Sequence, residues 1–319
     1  MNEKITVVIP LFNKAPHIRR TLDSVLAQTY LPDEIIVVDD GSTDGGADIV
    51  EKIKCPLIKL VRQENQGRWF ATNRGISEAT GELIATLDAD DAWKPLFLEV
   101  VLSLRKKYPL AGAYGTAYER VYKNRIEIYK GRVFSSAQED GIIETYLKPN
   151  VNYPLTSSSI IIPKRILLEV GGYPLNNALG GNLDTYLKIF MKYPIAYSME
   201  VLAIYYLNAT NRVCNSLKLL EEPAISKTIR SALNNKDVPD NMVKDLKEYA
   251  VPFQLYAARD CLIYGHRILA LKLLQYSRGT KYYSNWWWKL RILAMLPGNP
   301  APWLWNLRQH WWKLKRSVR

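Results

Sequence analysis

The stretch EIIVVDDGSTDGG (34–46) joins an apolar, β-branched run to two consecutive acids and then to turn residues. Four apolar residues in a row, without alternation, describe a strand buried on both faces. The Asp, Gly, Ser and Thr behind it are turn and helix-start residues, and a helix is expected over 44–53. Working outward, ITVVIPLF (5–12), LIKLV (57–61) and ELIATLD (82–88) repeat the same kind of run. Between the first two, Ile18, Leu22, Val25 and Leu26 follow Pro16 at helical spacing and give one buried stripe. Strand and helix alternating at this pace predict an α/β fold, Rossmann-like, with a mostly parallel sheet flanked by helices.

In such sheets ligands lie outside the carboxyl ends of the strands. The first strand ends in PLFN, the second in VDDGSTDGG and the fourth in LDADDAW, so three polar segments converge on one crevice. Asp88 and Asp90 stand two apart in an extended segment and point to one side. Paired carboxylates repel unless a cation intervenes, and oxygen donors suit Mg²⁺ or Mn²⁺ bridging to phosphate. A solvated acidic turn ahead of a helix near Pro95 explains the same spacing. Asp39 and Asp40 are either turn residues or acceptors for a base or ribose. With neither GxGxxG nor GxxxxGK[ST] present, phosphate binding falls to the metal and to side chains.

VVIPLFNKAPHIRRTLDSVLAQTYLPDEIIVVDDGSTD (7–44), followed by NQGRWFATNRGISEATGELIATLDADDAWKP (65–95), resembles family 2 glycosyltransferases of the GT-A fold. The likeness runs from about residue 4 to 95 and more loosely to about 213. It implies that Pro10, Phe12 and Asn13 line a nucleotide pocket, with Phe12 against the base. Asp40, with Asp39 beside it, would contact base or ribose. Arg68 would reach the phosphates, although the family often carries its Arg where this chain has Thr72; Arg74 is the other candidate. Asp88 and Asp90 would form the DxD motif, Asp90 as metal ligand and Asp88 toward ribose or metal. The implied activity is inverting transfer from a nucleotide diphosphate sugar, with UDP as the expected nucleotide, to a hydroxyl of a lipid-linked cell-surface glycan.

One departure concerns GGNLDTYLKIF (180–190). The family usually has a Glu-Asp pair ahead of this helix, the Asp acting as general base. Aligned without gaps, Gly181 stands at the Glu and Asn182 at the Asp. An amide can hydrogen-bond to an acceptor hydroxyl but cannot take its proton near neutral pH. Asn182 is also a favourable helix N-cap, with Leu183, Tyr186, Leu187, Phe190 and Met191 as the buried face. Asp184 is the substitute base to consider, although two residues along a helix turn it away. A weakened or non-catalytic protein that binds nucleotide sugar or glycan is therefore the rival reading.

Farther along, AGAYGTAY (111–118), RIEIY (125–129) and SSSIIIP (157–163) are strand-like. KLLEEPAISKTIRSALNN (218–235) and DNMVKDLKEYAVPFQLYAARDCLIYG (240–265) are helical. The expected division is a catalytic domain over 1–215, a helical extension over 216–275 and a basic tail over 276–319. The formal net charge of +12 comes from 43 basic and 31 acidic residues, and the tail holds nine Lys/Arg and no Asp or Glu. Seven of the nine tryptophans lie there as well. Its apolar runs are too short to span a bilayer, so the expected partner is an anionic membrane surface, the tail lying in the interface. Packing of these tryptophans onto the protein, or a scaffold role for the tail, are the alternatives. Nucleic acid is not expected, because the body offers no basic groove. Cys55, Cys214 and Cys261 form no CxxC pair and suit buried thiols in a reducing compartment. No export signal is read at the N-terminus, and the expected location is cytoplasmic, peripheral on the inner face of the cell membrane.

Overall fold

The four apolar runs become β1 (Ile5–Leu11), β2 (Glu34–Asp40), β3 (Ile58–Gln63) and β4 (Leu83–Thr86). They lie in the order β3-β2-β1-β4, all parallel, as the βαβ alternation requires. The computed structural model describes residues 3–131, 133–148, 154–175, 180–208 and 219–296. Helices α1 (Ala15–Leu26), α2 (Gly46–Glu51) and α3 (Arg68–Glu78) connect the strands, α2 being shorter than the 44–53 expected. From α1, Ile18, Leu22 and Val25 enter the core beside Ile5, Val7, Ile9 and Ile35. Close approach of α3 to the sheet depends on Gly75, where a Cβ would stand 2.4 Å from Val8 Cγ1.

The rest of the sheet is mixed. After β5 (Ala92–Trp93) and α4 (Phe97–Lys107) come β6 (Ala113–Val121), β7 (Ile126–Tyr129), β8 (Asp140–Ile142) and β9 (Ile160–Pro163). Helices α5 (Lys164–Glu169) and α6 (Gly181–Lys192) then precede β10 (Ile195–Tyr206). β9 is inserted antiparallel between β4 and β6, and β10 runs parallel to β6 with a bulge between Ser198 and Ala203. An antiparallel β9 carries the residues just before it, Ser157 to Ser159, to the carboxyl end of β4. That placement matters for the acidic turn that follows β4.

Two compact units divide the chain, residues 1–146 with 150–215 and residues 147–149 with 216–319. The second unit contains α7 (Ala224–Asn235), α8 (Asp240–Ile263), α9 (Arg267–Tyr276) and α10 (Ser284–Met295). Leu255, Ala258 and Leu262 of α8 pack with Leu273 and Leu274 of α9 and with Trp287, Leu290 and Ala294 of α10. Among the described residues no helix is long and apolar enough to cross a membrane. Cys261 is buried in this core, and burial pushes its thiol up to about 11. Cys55, expected to be buried, is half-exposed, and Cys214 lies outside the described residues.

Candidate functional site

At the carboxyl ends of β1 and β2 the backbone register sets Leu11 beside Asp39. Phe12, the next residue, leaves the sheet and is 43% exposed, an aromatic ring presented at the rim. Asn13 adopts a left-handed conformation (φ 50°), which Asn tolerates better than most residues. Its Oδ1 accepts from the Thr43 N–H at 2.8 Å, and its own N–H donates to Ser42 Oγ at 3.1 Å. Asn13 thereby ties the end of β1 to the turn after β2, with Pro10 half-buried behind it. The structure gives the two neighbouring acids different work. Asp40 accepts from Gln63 Nε2 (2.8 Å), Gln66 N (2.9 Å) and Gly67 N (2.8 Å), so its carboxylate clasps the loop before α3. Asp39 accepts from Ser42 N at 3.1 Å and lines a cleft of about 620 Å³ with Gly41, Ser42, Thr43, Arg62 and Gln63. Both acids are buried, and of the pair Asp39 is the one on the wall of this cleft.

The acidic turn after β4 is anchored from three sides. Thr21 of α1 donates to the carbonyls of Ala89 (3.0 Å) and Asp91 (2.7 Å), and Arg20 donates to that of Asp90 (2.6 Å). Ser158 donates to Asp91 Oδ2 at 2.5 Å, and the Tyr206 N–H of β10 reaches Asp91 Oδ1 at 3.1 Å. Asp91 is completely buried, and burial raises its carboxyl well above the usual range. It is the structural member of the three acids. Asp88 lies under the Arg68 guanidinium, which also donates to Ser157 Oγ at 2.5 Å; burial raises the Asp88 carboxyl although Arg68 opposes the shift. Asp90 pairs with Lys14 Nζ at 2.7 Å and keeps a partly accessible carboxylate. Asp88 and Asp90 offer the oxygen donors that a hard divalent cation takes, but Asp88 is ion-paired with Arg68 and Asp90 with Lys14, and no cluster of three or more potential metal ligands occurs among the described residues.

Arg68 and Thr72 are one helical turn apart on α3, and Thr72 Oγ1 donates to the Arg68 carbonyl at 2.9 Å. Arg74 does not join them and pairs with Glu78 at 2.8 Å on the outer side of α3. Next to Arg68, Trp69 is 5% exposed and stacks on Tyr173 with ring centroids 4.9 Å apart and 8° between planes. Asn73 holds the turn at 171–174, donating to the Tyr173 carbonyl (2.7 Å) and accepting from the Tyr173 N–H (2.9 Å). The indole also meets the start of α6, where a Cβ at Gly181 would lie 2.6 Å from Trp69 Nε1. Trp69 and a side chain at 181 exclude each other.

Helix α6 begins at Gly181, with Gly180 as its cap in the left-handed region (φ 76°). The N-cap role expected of Asn182 is therefore corrected: Asn182 is the second residue of the helix, half-exposed, and makes no capping bond. The buried side of α6 is also rotated from the one expected, comprising Asp184, Thr185, Tyr186, Leu187 and Ile189, while Leu183, Phe190 and Met191 are half-buried. Thr185 fixes this rotation by donating to the carbonyl of Gly172 at 3.0 Å. Asp184 is 1% exposed and ion-paired with Lys188 at 2.9 Å.

Residues 6–163 match the family described as glycosyl transferase family 2. A putative teichuronic acid biosynthesis glycosyltransferase, TuaG of Bacillus subtilis, is 31% identical over 229 residues, covering 70% of this chain and 85% of TuaG. The chain belongs to glycosyl transferase family 2. Its fold is that of solved GT-A proteins. Staphylococcus aureus TarS in complex with UDP-GlcNAc superposes with a TM-score of 0.64 at 17% identity, over 90% of this chain and 79% of TarS. The mannosyltransferase PcManGT of Pyrobaculum calidifontis, in complex with GDP-Man and Mn²⁺, gives 0.58 at 19% identity, over 93% and 82%.

The structure brings in residues that the sequence reading had missed: Lys14, Ser157, Ser158 and Trp69. Lys14 follows PLFN and the serines precede an apolar run, so both stood next to recognised signals. The pairing of Lys14 with Asp90 becomes visible when β4 is placed beside β1, and that of the serines with Asp88 and Asp91 when β9 is placed beside β4. Nothing local marked Trp69, whose counterpart is a glycine on another helix.

Proposed function

We propose that the chain transfers a sugar from a nucleotide diphosphate sugar, with UDP as the nucleotide, to a hydroxyl of a lipid-linked cell-surface glycan, inverting the anomeric carbon. The observation that carries this reading is the gathering of Arg68, Asp88 and Asp90 after β4, with Asp39 on the wall of a cleft after β2. Phe12 would lie against the base, Asp39 would accept from base or ribose, and Arg68 would meet the diphosphate. Pro10, Asn13 and Asp40 would shape the pocket by holding its loops. Asp90, with Asp88 beside it, would hold Mg²⁺ or Mn²⁺. When bound, such an ion offsets negative charge growing on the departing nucleoside diphosphate. The acceptor oxygen bonds to the anomeric carbon from the face opposite the diphosphate as the carbon–oxygen bond to phosphate breaks. Asn182 would orient that hydroxyl without taking its proton, which passes to solvent.

Asn182, together with the burial of Asp184 against Lys188, favours a second reading in which donor is bound and turnover is weak. Division into a catalytic domain (1–215), a helical extension (216–275) and a basic tail (276–319) belongs to the same proposal, as does attachment to the inner face of a cell membrane. Of the tail, residues 297–319 lie outside the described residues. The test is nucleoside diphosphate release from a panel of nucleotide sugars, with parent and Asn182→Asp, in Mn²⁺ and in EDTA. Release from at least one donor, reduced at least tenfold by EDTA, is expected. If neither protein turns over any donor, the enzyme reading loses to the binding one; release indifferent to EDTA removes the metal from it.

A further inference from the structure

We propose that the outward face of α10 is a membrane-contact ridge that seats Trp288, Ile292 and Met295 in the headgroup layer of an anionic bilayer. This rests on the reading of 276–319 as a membrane-surface segment and assigns the contact to particular side chains. Spacing and burial divide α10 into two faces. Trp287, Leu290 and Ala294 are buried against α8 and α9, and the Trp287 indole donates to the Leu274 carbonyl at 2.7 Å. That face is committed to the helical core, so three consecutive tryptophans do not act as one unit. Trp288, Ile292 and Met295, at i, i+4 and i+7, are 59%, 57% and 68% exposed. A large apolar stripe held in solvent by a helix whose other side is anchored marks an interaction surface.

Charge selects the occupant. Asp260 is the last carboxylate side chain, and residues 261–296 carry six Lys/Arg (Arg267, Lys272, Arg278, Lys281, Lys289 and Arg291) with no Asp or Glu. Lys281 and Lys289 are exposed, Lys289 next to Trp288. Five more Lys/Arg follow in 297–319, again without an acid. Such a surface meets no like charge on anionic lipid, and indole beside lysine matches the boundary between acyl chains and headgroups. With 12 residues α10 is too short to cross the hydrocarbon, so it would lie along the surface.

The test is flotation of the full chain with vesicles of phosphatidylcholine containing 30 mol% phosphatidylglycerol, beside the triple variant Trp288→Ser, Ile292→Ser, Met295→Ser. Circular dichroism and size exclusion confirm that the fold and oligomeric state are kept. The parent should float with these vesicles and at least tenfold less with pure phosphatidylcholine, and the triple variant should lose at least tenfold in partitioning. Lys289→Glu, which keeps the apolar stripe, should lose several-fold. Equal flotation of parent and triple variant overturns the ridge while leaving a membrane-binding tail intact. No flotation of the parent overturns both. A parent dimer that the triple variant dissociates, without a change in flotation, assigns the stripe to a second copy and overturns the ridge.

Discussion

Asn182→Asp should raise the rate of sugar transfer by about 10²- to 10⁴-fold, the usual contribution of a positioned general base. The change is nearly isosteric and falls on a half-exposed residue in the first turn of α6, where an anion is favoured by the helix dipole. It alters protonation chemistry with little disturbance to packing. A carboxylate there has an ordinary pKa of about 4. Since the base works when deprotonated, the ratio of variant to parent rate should be full above that pH and fall toward one as pH falls through it. Asp184→Asn is the control. That carboxylate is buried and held by Lys188, so its replacement should change stability and leave the pH profile of transfer unchanged. A variant at 182 no faster than the parent with any donor would remove this position from proton transfer.

Gly181→Ala should be strongly destabilising, although Ala is normally the better helix residue by about 1 kcal/mol. The new Cβ would stand 2.6 Å from Trp69 Nε1 and 2.8 Å from Trp69 Cε2, and the indole is stacked on Tyr173 and cannot swing clear. Overpacking of this kind costs about 1–3 kcal/mol. In a unit of this size, that corresponds to a fall in melting midpoint of about 2–12 °C. Gly181→Glu, which installs the acid that the resemblance implies at this position, should fall at least as far and bring no gain in turnover on top of Asn182→Asp. Trp69→Ala alone should cost about 3–5 kcal/mol. Combined with Gly181→Ala, the two costs should add to less than their sum by about 1–3 kcal/mol, because the clash is gone. An unchanged midpoint for Gly181→Ala would contradict the mutual exclusion. An acid can thus be introduced at 182 but not at 181 while Trp69 is in place.

The parallel part of the sheet was legible in the sequence because each strand buried on both faces leaves an unbroken run such as IIVV, and each run ends in turn residues. The crevice followed from topology, since the ends of parallel strands meet on one edge. Antiparallel insertions left weaker marks. SSSIIIP read as a strand, yet its place between β4 and β6 depends on pairing with segments distant in sequence, and with it the anchoring of Asp88 and Asp91 by Ser157 and Ser158. The long strand β10 went unread, its pattern broken by the bulge between Ser198 and Ala203. Asp39 and Asp40 could not be told apart in sequence. Only the fold of the 63–67 loop shows that Asp40 is consumed by three N–H donors. At α6 the apolar spacing found the helix but missed its rotation, because Thr185 and Asp184 are buried by specific bonds and not by hydrophobicity.

The central claim, a nucleotide-sugar site at the carboxyl ends of β1, β2 and β4, is tested most directly by calorimetric titration of UDP into the parent and into Asp39→Asn, with Mn²⁺ present. The amide keeps an acceptor for the Ser42 N–H and so preserves the turn, but replaces a charged acceptor with a neutral one. Saturable binding at one site per chain is expected, weakened at least about 10-fold in Asp39→Asn, the usual effect of losing a hydrogen bond to a charged group. No binding of UDP to the parent, or equal binding to the variant, would contradict it.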